Sequence, residues 1–143
     1  MPTRPSDATW EGKLQTGRGT VTLGSGAFSG EYSFASRFEQ GTGTNPEELI
    51  AAAHAGCYSM ALAHALEEKG YDPQRVHTTA KVSLEQAEGG FQISTIDLET
   101  EADVADIDEK AFEELAQAAK TNCPVSKALA GAEIRLRLKK LVS

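Results

Sequence analysis

The sequence is poor in cysteine and lacks a concentrated basic segment. Only Cys57 and Cys123 occur among 143 residues, and the net charge is −7. Nucleic-acid binding is not expected, because phosphate recognition requires a dense basic surface. Residues 1–7 contain no positive segment followed by an apolar stretch, so we expect a cytoplasmic protein. A reducing cytosol does not maintain structural disulfides, so the thiols are either buried packing residues or functional groups.

A long uninterrupted hydrophobic run is also missing. The longest apolar stretch, Leu49 to Leu66, is interrupted by His54, Ser59 and His64. This pattern predicts a buried core helix rather than a membrane span, so we expect no membrane partner.

The helix that contains this stretch has clear signals at both ends. Asn45 is a typical N-cap, Pro46 suits the first helical position, and Glu48 stands at N3. The helix is predicted to end near Lys69, because Gly70 follows.

The sequence also predicts six strands and a second helix. Along the chain the predicted strands occur in groups and do not alternate with helices. This order predicts an α+β class and a single domain, residues 1–143, with residues 1–8 as a flexible arm. A change of phase between Ile93 and Ile96 indicates a bulge. The predicted strands are Thr9–Leu14, Arg18–Leu23, Glu31–Phe38, Val76–Leu84, Phe91–Glu99 and Ala132–Leu141.

The second helix is predicted to begin with a capping box of Asp106 and Glu109 and to be interrupted before Pro124. Asn122 can cap the following helical piece, which would place Cys123 in its first turn. There the free N–H groups favour a thiolate, so Cys123 is by this argument the more acidic thiol.

Cys57 lies in an apolar helix, where desolvation raises the pKa of a thiol. A reactive Cys57 therefore needs a cation, and the candidates are Arg37 and Arg18. Glu47 could hold such an arginine, or could merely complement the helix dipole. Ten residues, or about 15 Å of helix rise, separate Glu47 from Cys57. The two cannot meet within one copy of this helix, but they could meet if two copies packed antiparallel, which would make the protein a dimer.

The histidines suggest two further roles for the same helix. His54 and His64 share a face with Cys57, but a metal site needs more ligands, and no second Cys/His pair is nearby. We therefore expect no metal. His54 could act as a base for Cys57 or could be a polar core residue. Tyr58, Ser59 and Ser126 form no recognisable triad.

Four segments of the sequence closely resemble the OsmC/Ohr family, the osmotically inducible and organic hydroperoxide resistance proteins. The segments are Trp10–Gly12, Gly43–Leu49, Ala52–Cys57 and Asn122–Ser126, and the similarity extends from about residue 9 to residue 141. The resemblance implies an intertwined OsmC-like homodimer with antiparallel sheets wrapped around two long central helices.

The resemblance also implies site residues and a reaction. It makes Cys57 the peroxidatic cysteine, Cys123 the resolving cysteine and Glu47 the carboxylate that orients the activating arginine. Ser36-Arg37-Phe38 resembles the OsmC branch, whereas Arg18 lies where Ohr-type proteins carry their arginine, so Arg37 is preferred.

The implied activity is reduction of organic hydroperoxides, and of hydrogen peroxide as a further substrate, in stress defence. The implied reductant is an external dithiol such as a lipoyl group, with no resident cofactor. A non-catalytic redox sensor or a stress-induced binding protein is the alternative.

Overall fold

The first part of the chain forms a three-stranded antiparallel sheet. The computed structural model describes residues 2–143 and has two compact units, one up to Leu49 and the other from Ile50 onward. In the first unit β1 (Ser6–Glu11), β2 (Arg18–Leu23) and β3 (Ser29–Tyr32) pair in that order.

The first strand begins earlier than the sequence predicts. Ser6 pairs with Leu23, so residues 6–8 of the expected flexible arm belong to β1, while Met1 lies outside the described residues. The strand ends at Glu11, because Gly12 has a φ of +96° and turns the chain. The single-domain assignment stays a prediction.

The third predicted strand, Glu31–Phe38, is wrong beyond Tyr32. Ser33 and Ser36 form a reciprocal capping box, in which each side chain accepts a hydrogen bond from the other residue's backbone N–H. This cap starts a short helix, α1 (Phe34–Phe38), so Arg37 is carried by a helix and not by the outer face of a strand.

The long helix α2 (Pro46–Glu68) agrees with its predicted bounds to within one residue. Asn45 Oδ1 accepts a hydrogen bond from the Glu48 backbone N–H at 2.7 Å, and Gly70 follows with a φ of +88°. By length and composition alone α2 could cross a membrane, although a buried helix of a soluble protein meets the same criterion. The expectation of no membrane partner stays a prediction.

The second unit contains a mixed sheet in the order β4 (Pro73–Ala87), β5 (Gly90–Val104), β6 (Glu133–Val142). β4 and β5 are antiparallel, but β5 and β6 are parallel, so the expectation of wholly antiparallel sheets is wrong. The reason is the long connection between β5 and β6, because parallel neighbours require such a crossover. The α+β class itself is confirmed.

The predicted bulge is present in the β4–β5 pair. Ser83 pairs with Thr95 and Leu84 pairs with Ile93, so Ser94 is the extra residue on β5. This residue accounts for the change of phase that the sequence shows at the same place.

The crossover to β6 contains α3 (Glu109–Asn122) and α4 (Pro124–Ala128). The predicted capping box of Asp106 and Glu109 does not form, because Asp106 lies in a turn with a φ of +60°. Asp108 is the N-cap instead, and its carboxylate accepts the Ala111 N–H at 2.8 Å.

The core of the second unit is formed where α2 packs with β5 and α3. Buried residues from all three elements belong to one cluster, namely Tyr58, Leu62, Leu66, Ile96, Leu98, Phe112 and Ala116. The other side of α2 is exposed along a row of mostly small residues, Ala52, Ala53, Gly56 and Met60. We call this row the small-residue stripe; Met60 within it is 76% exposed.

Candidate active site

The structure brings the two cysteines together, although 66 positions separate them in the sequence. Cys57 is half-buried in the middle of α2, and Cys123 is fully buried at the junction of α3 and α4. Their sulfur atoms are 3.0 Å apart and both are free thiols. A disulfide bond is about 2.05 Å long, so the pair is close but not bonded.

Cys123 is held by the geometry of the helix junction. Its backbone N–H donates to the Ala119 carbonyl at 2.9 Å, which ends α3, and Pro124 then begins α4. The predicted cap at Asn122 is wrong, because Asn122 is the last residue of α3. Cys123 therefore occupies the N-cap position of α4 and not its first turn.

The surroundings of the two thiols shift their pKa values in opposite directions. Burial raises the pKa of Cys57, and the contact with Cys123 raises it further. Burial also acts to raise the pKa of Cys123, but hydrogen bonds from Cys57, Ser126 and the Val125 backbone outweigh it, so the pKa is lowered. When Cys123 is ionised, Cys57 must donate the proton between the two sulfurs. The Cys123 thiol therefore has the lower pKa of the two.

Arg37 and Glu47 form a bidentate ion pair within the first unit. Arg37 Nε donates to Glu47 Oε1 at 3.0 Å, and Nη2 donates to Oε2 at 2.9 Å. The Glu47 side chain is 10% exposed and that of Arg37 is 35% exposed. The guanidinium also lies 5.3 Å from the centre of the Phe38 ring. Because both carboxylate oxygens are engaged, Glu47 orients a guanidinium and does more than complement the helix dipole.

Arg18 is in a different setting from Arg37. Its side chain is 83% exposed, and its closest acidic contact, Glu11, lies at 4.0 Å, so the Arg18 guanidinium is held loosely. Arg37 also lines a cavity of about 430 Å³ whose wall is mostly aromatic and apolar. The other lining residues that supply this character are Trp10, Leu14, Tyr32, Phe34 and Phe38.

The histidines are separated by the structure. His54 is fully buried, and its Nε2 lies 2.7 Å from Ser126 Oγ, while burial lowers the pKa of the imidazole. The possible role of His54 as a base for Cys57 gains no support, because the hydrogen bond of Nε2 goes to Ser126. His64 is exposed and 3.0 Å from Glu68. Within residues 2–143 no group of three His, Cys, Asp or Glu residues could hold a metal ion.

The sequence analysis assigned no role to Ser126, whose hydroxyl contacts His54 and whose hydrogen bonding contributes to the lowered pKa of Cys123. A signal for it was present, since Ser126 follows Cys123 by three residues and α4 brings such residues to one face. Ser126 belongs to no hydrolase triad, so no catalytic motif pointed to it.

Comparison with known proteins gives one consistent result. The family model for OsmC-like protein matches residues 39–139. Peroxiredoxin OsmC of Escherichia coli is 48% identical over 134 residues, which cover 93% of each chain. The organic hydroperoxide resistance protein OhrB of Bacillus subtilis is 36% identical over 101 residues, covering 68% of this chain and 71% of OhrB. The crystal structure of that OhrB superimposes with a TM-score of 0.72 at 31% identity, covering 94% of this chain and 98% of OhrB.

Proposed function

Because this chain belongs to the OsmC-like protein family, we propose that it is a thiol peroxidase that reduces organic hydroperoxides in stress defence. The names of its relatives, a peroxiredoxin and organic hydroperoxide resistance proteins, support peroxide reduction as the activity. The observation that carries the two-cysteine form of the proposal is the 3.0 Å distance between the sulfurs of Cys57 and Cys123. Hydrogen peroxide is the second substrate to test.

The proposed reaction begins at Cys57. The Cys57 thiolate attacks the distal peroxide oxygen, the O–O bond breaks, and the alkoxide leaves and takes up a proton as alcohol. Cys57 is now a sulfenic acid. The Cys123 thiolate then attacks the Cys57 sulfur, the S–O bond breaks, and hydroxide leaves and is protonated to water. The product is a Cys57–Cys123 disulfide, which an external dithiol, such as a reduced lipoyl group, converts to two thiols while it is itself oxidised to a disulfide.

Arg37 is the proposed source of the charge that ionises Cys57. Burial raises the pKa of the Cys57 thiol, and a cation within reach lowers a thiol pKa by about one to three units. The bidentate contact with Glu47 supports this role, because it holds the guanidinium in one orientation. Arg18 is the weaker candidate, since its side chain is largely exposed.

The site is proposed to lie between two subunits of a cytoplasmic homodimer. About 15 Å of helix rise separates Glu47 from Cys57, so two antiparallel copies of α2 would bring Glu47 and Arg37 of one subunit to Cys57 of the other. The small-residue stripe supports this packing, because small side chains let two helices approach closely. The proposal requires neither a resident cofactor nor a metal.

Peroxide consumption with dithiothreitol as the reductant tests the proposal. We expect turnover by the wild type, none by Cys57→Ser, and in Cys123→Ser a Cys57 sulfenic acid that dimedone traps. Full turnover by Cys57→Ser would refute the assignment of the attacking thiol. Wild-type protein that oxidises once but does not cycle would instead favour the redox sensor, for which the close thiol pair is equally suited.

A further inference from the structure

A buried histidine without a function in the proposed reaction contacts Ser126, three positions after the proposed resolving cysteine. His54 Nε2 is 2.7 Å from Ser126 Oγ, and both residues are buried, with exposed fractions of 0% and 5%. The other ring nitrogen, Nδ1, is also buried and has no hydrogen-bond partner among residues 2–143. Buried polar atoms usually have partners, so this arrangement calls for an explanation.

The missing partner of Nδ1 indicates where the imidazole proton lies. Burial lowers the pKa of His54, so the ring is neutral at neutral pH and carries one proton. A proton on Nδ1 would leave an N–H donor buried without an acceptor, which is rare in folded proteins. A proton on Nε2 is donated to Ser126 Oγ and leaves only an acceptor unpaired. The Nε2–H tautomer is therefore the favoured form.

This tautomer determines the direction of the Ser126 hydroxyl. Since Ser126 Oγ accepts the hydrogen bond from His54, the hydroxyl proton is free to point to another acceptor. Cys123 is the N-cap residue of α4, three positions before Ser126, and hydrogen bonding by Ser126 is among the causes that lower the pKa of its thiol, so we take the Cys123 sulfur as that acceptor. The hydrogen bonds then form a chain in which His54 donates to Ser126 and Ser126 donates to Cys123. This chain links α2 to α4.

We propose that His54 is a positioning residue for the resolving thiol, because it orients the Ser126 hydroxyl toward Cys123 and so stabilises the Cys123 thiolate. The inference deepens the proposed function and rests on it, since it assumes that Cys123 attacks oxidised Cys57. The titratable groups that interact directly with Cys123 are Cys57 and Tyr58, both on α2. Neither carries positive charge, so hydrogen bonds are the main means of stabilising this thiolate.

The first test measures the pKa of Cys123 directly, from its ultraviolet thiolate absorbance, in the Cys57→Ser background. This measurement uses no peroxide, so it can succeed even if the peroxidase proposal fails. Loss of one hydrogen bond to a charged group corresponds to an upward shift of about one pKa unit, and we expect it in Ser126→Ala and in His54→Leu. His54→Gln retains an N–H donor and should recover part of the shift.

A matched control and a double variant separate positioning from a general structural effect. His64→Leu makes the same substitution on the same helix at an exposed site and should leave the Cys123 pKa unchanged. His54→Leu combined with Ser126→Ala should shift the pKa no further than Ser126→Ala alone, because both act through one hydroxyl. Additive shifts, or an unchanged pKa in Ser126→Ala, would overturn the inference.

Two further measurements keep the inference testable if His54→Leu does not fold. Nitrogen chemical shifts of the His54 ring in the wild type should show a neutral ring with the proton on Nε2, and a proton on Nδ1 would contradict the argument. In the peroxidase, Ser126→Ala should slow disulfide formation about threefold. The higher pKa of Cys123 leaves less of this thiol ionised, but each thiolate is a stronger nucleophile, so the two effects on the rate partly cancel. The rate of sulfenic acid formation at Cys57 should not fall, because a less ionised Cys123 raises the pKa of Cys57 less, and an equal loss in both steps would refute a specific role.

Discussion

The substitution Glu47→Gln tests the ion pair on which the proposed activation of Cys57 depends. Glutamine has nearly the shape of glutamate and keeps one oxygen that can accept from Arg37 Nε. Its amide NH₂ would stand where Oε2 now accepts from Arg37 Nη2 at 2.9 Å, so a donor would face a donor. The variant therefore removes the charge and one hydrogen bond while changing little else.

The expected effect on stability is moderate. A hydrogen bond between charged groups contributes about 1.5–3 kcal/mol, and the Glu47 side chain is only 10% exposed, so water replaces little of the loss there. Arg37 is 35% exposed and can be rehydrated, which places the loss toward the lower end of that range. We expect the free energy of unfolding to fall by about 1–2 kcal/mol, measured by urea denaturation.

The expected effect on catalysis is larger. A guanidinium that is no longer oriented should leave the Cys57 pKa at least one unit higher, so the rate of reaction with an organic hydroperoxide at neutral pH should fall by about tenfold or more. The loss should diminish as the pH rises, because Cys57 then ionises without help. Stopped-flow measurement of the first oxidation step, over a series of pH values, gives this rate directly.

The matched control is Glu48→Gln, which removes the same charge from the adjacent residue. Glu48 Oε2 accepts a hydrogen bond from the Thr44 hydroxyl at 2.7 Å and does not contact Arg37. Equal rates for Glu47→Gln and Glu48→Gln would refute the argument, as would a loss in Glu47→Gln that persists unchanged at alkaline pH.

Three further predictions concern the arginines, the central glycine and the second sheet. Arg37→Ala should lose more peroxidase activity than Arg18→Ala, and the reverse order in the same assay would transfer the role to Arg18. An added Cβ at Gly56 meets no atom of the same chain within 4 Å, and alanine favours a helix, so Gly56→Ala should raise the free energy of unfolding of an isolated subunit by about 0.5–1 kcal/mol. A fall in urea denaturation would instead indicate that the added methyl meets the second copy of α2 in the proposed dimer. Hydrogen bonds from Arg135 hold the pKa of Asp97 below its usual value, so the pair stabilises the fold at neutral pH and this contribution is lost as the pH falls through the lowered pKa. In Arg135→Gln the free energy of unfolding should therefore fall less steeply with decreasing pH. An unchanged pH dependence would show that the pair contributes nothing.

Local signals predicted those parts of the fold that depend on neighbours in the sequence. The N-cap at Asn45, the stop at Gly70 and the bulge at Ser94 need only a few adjacent residues, and all three are present. The prediction failed at residues 33–38, which were assigned to the strand Glu31–Phe38. The reciprocal bonds of Ser33 and Ser36 instead start a helix there.

The direction of β6 and the contacts of the candidate site depend on distant parts of the chain. No local signal distinguishes a parallel β6 from an antiparallel one, because the direction follows from the whole crossover. Sequence reasoning named Cys57 and Cys123, but their 3.0 Å contact requires α2 to pack beside the α3–α4 junction. The bond from His54 to Ser126 spans 72 positions and was not foreseen for the same reason.

The position of Cys123 at the junction of α3 and α4 has a consequence for the whole protein, beyond the candidate site. A disulfide to Cys57 would close a covalent loop of 66 residues, almost half of the chain. In the chain-entropy treatment, closing a loop of this length stabilises the folded state by about 4 kcal/mol, because the unfolded chain loses freedom. The oxidised form should therefore melt at a higher temperature than the reduced form. The melting curve of a sample would then show what fraction of the protein has been oxidised by peroxide and has not yet been reduced.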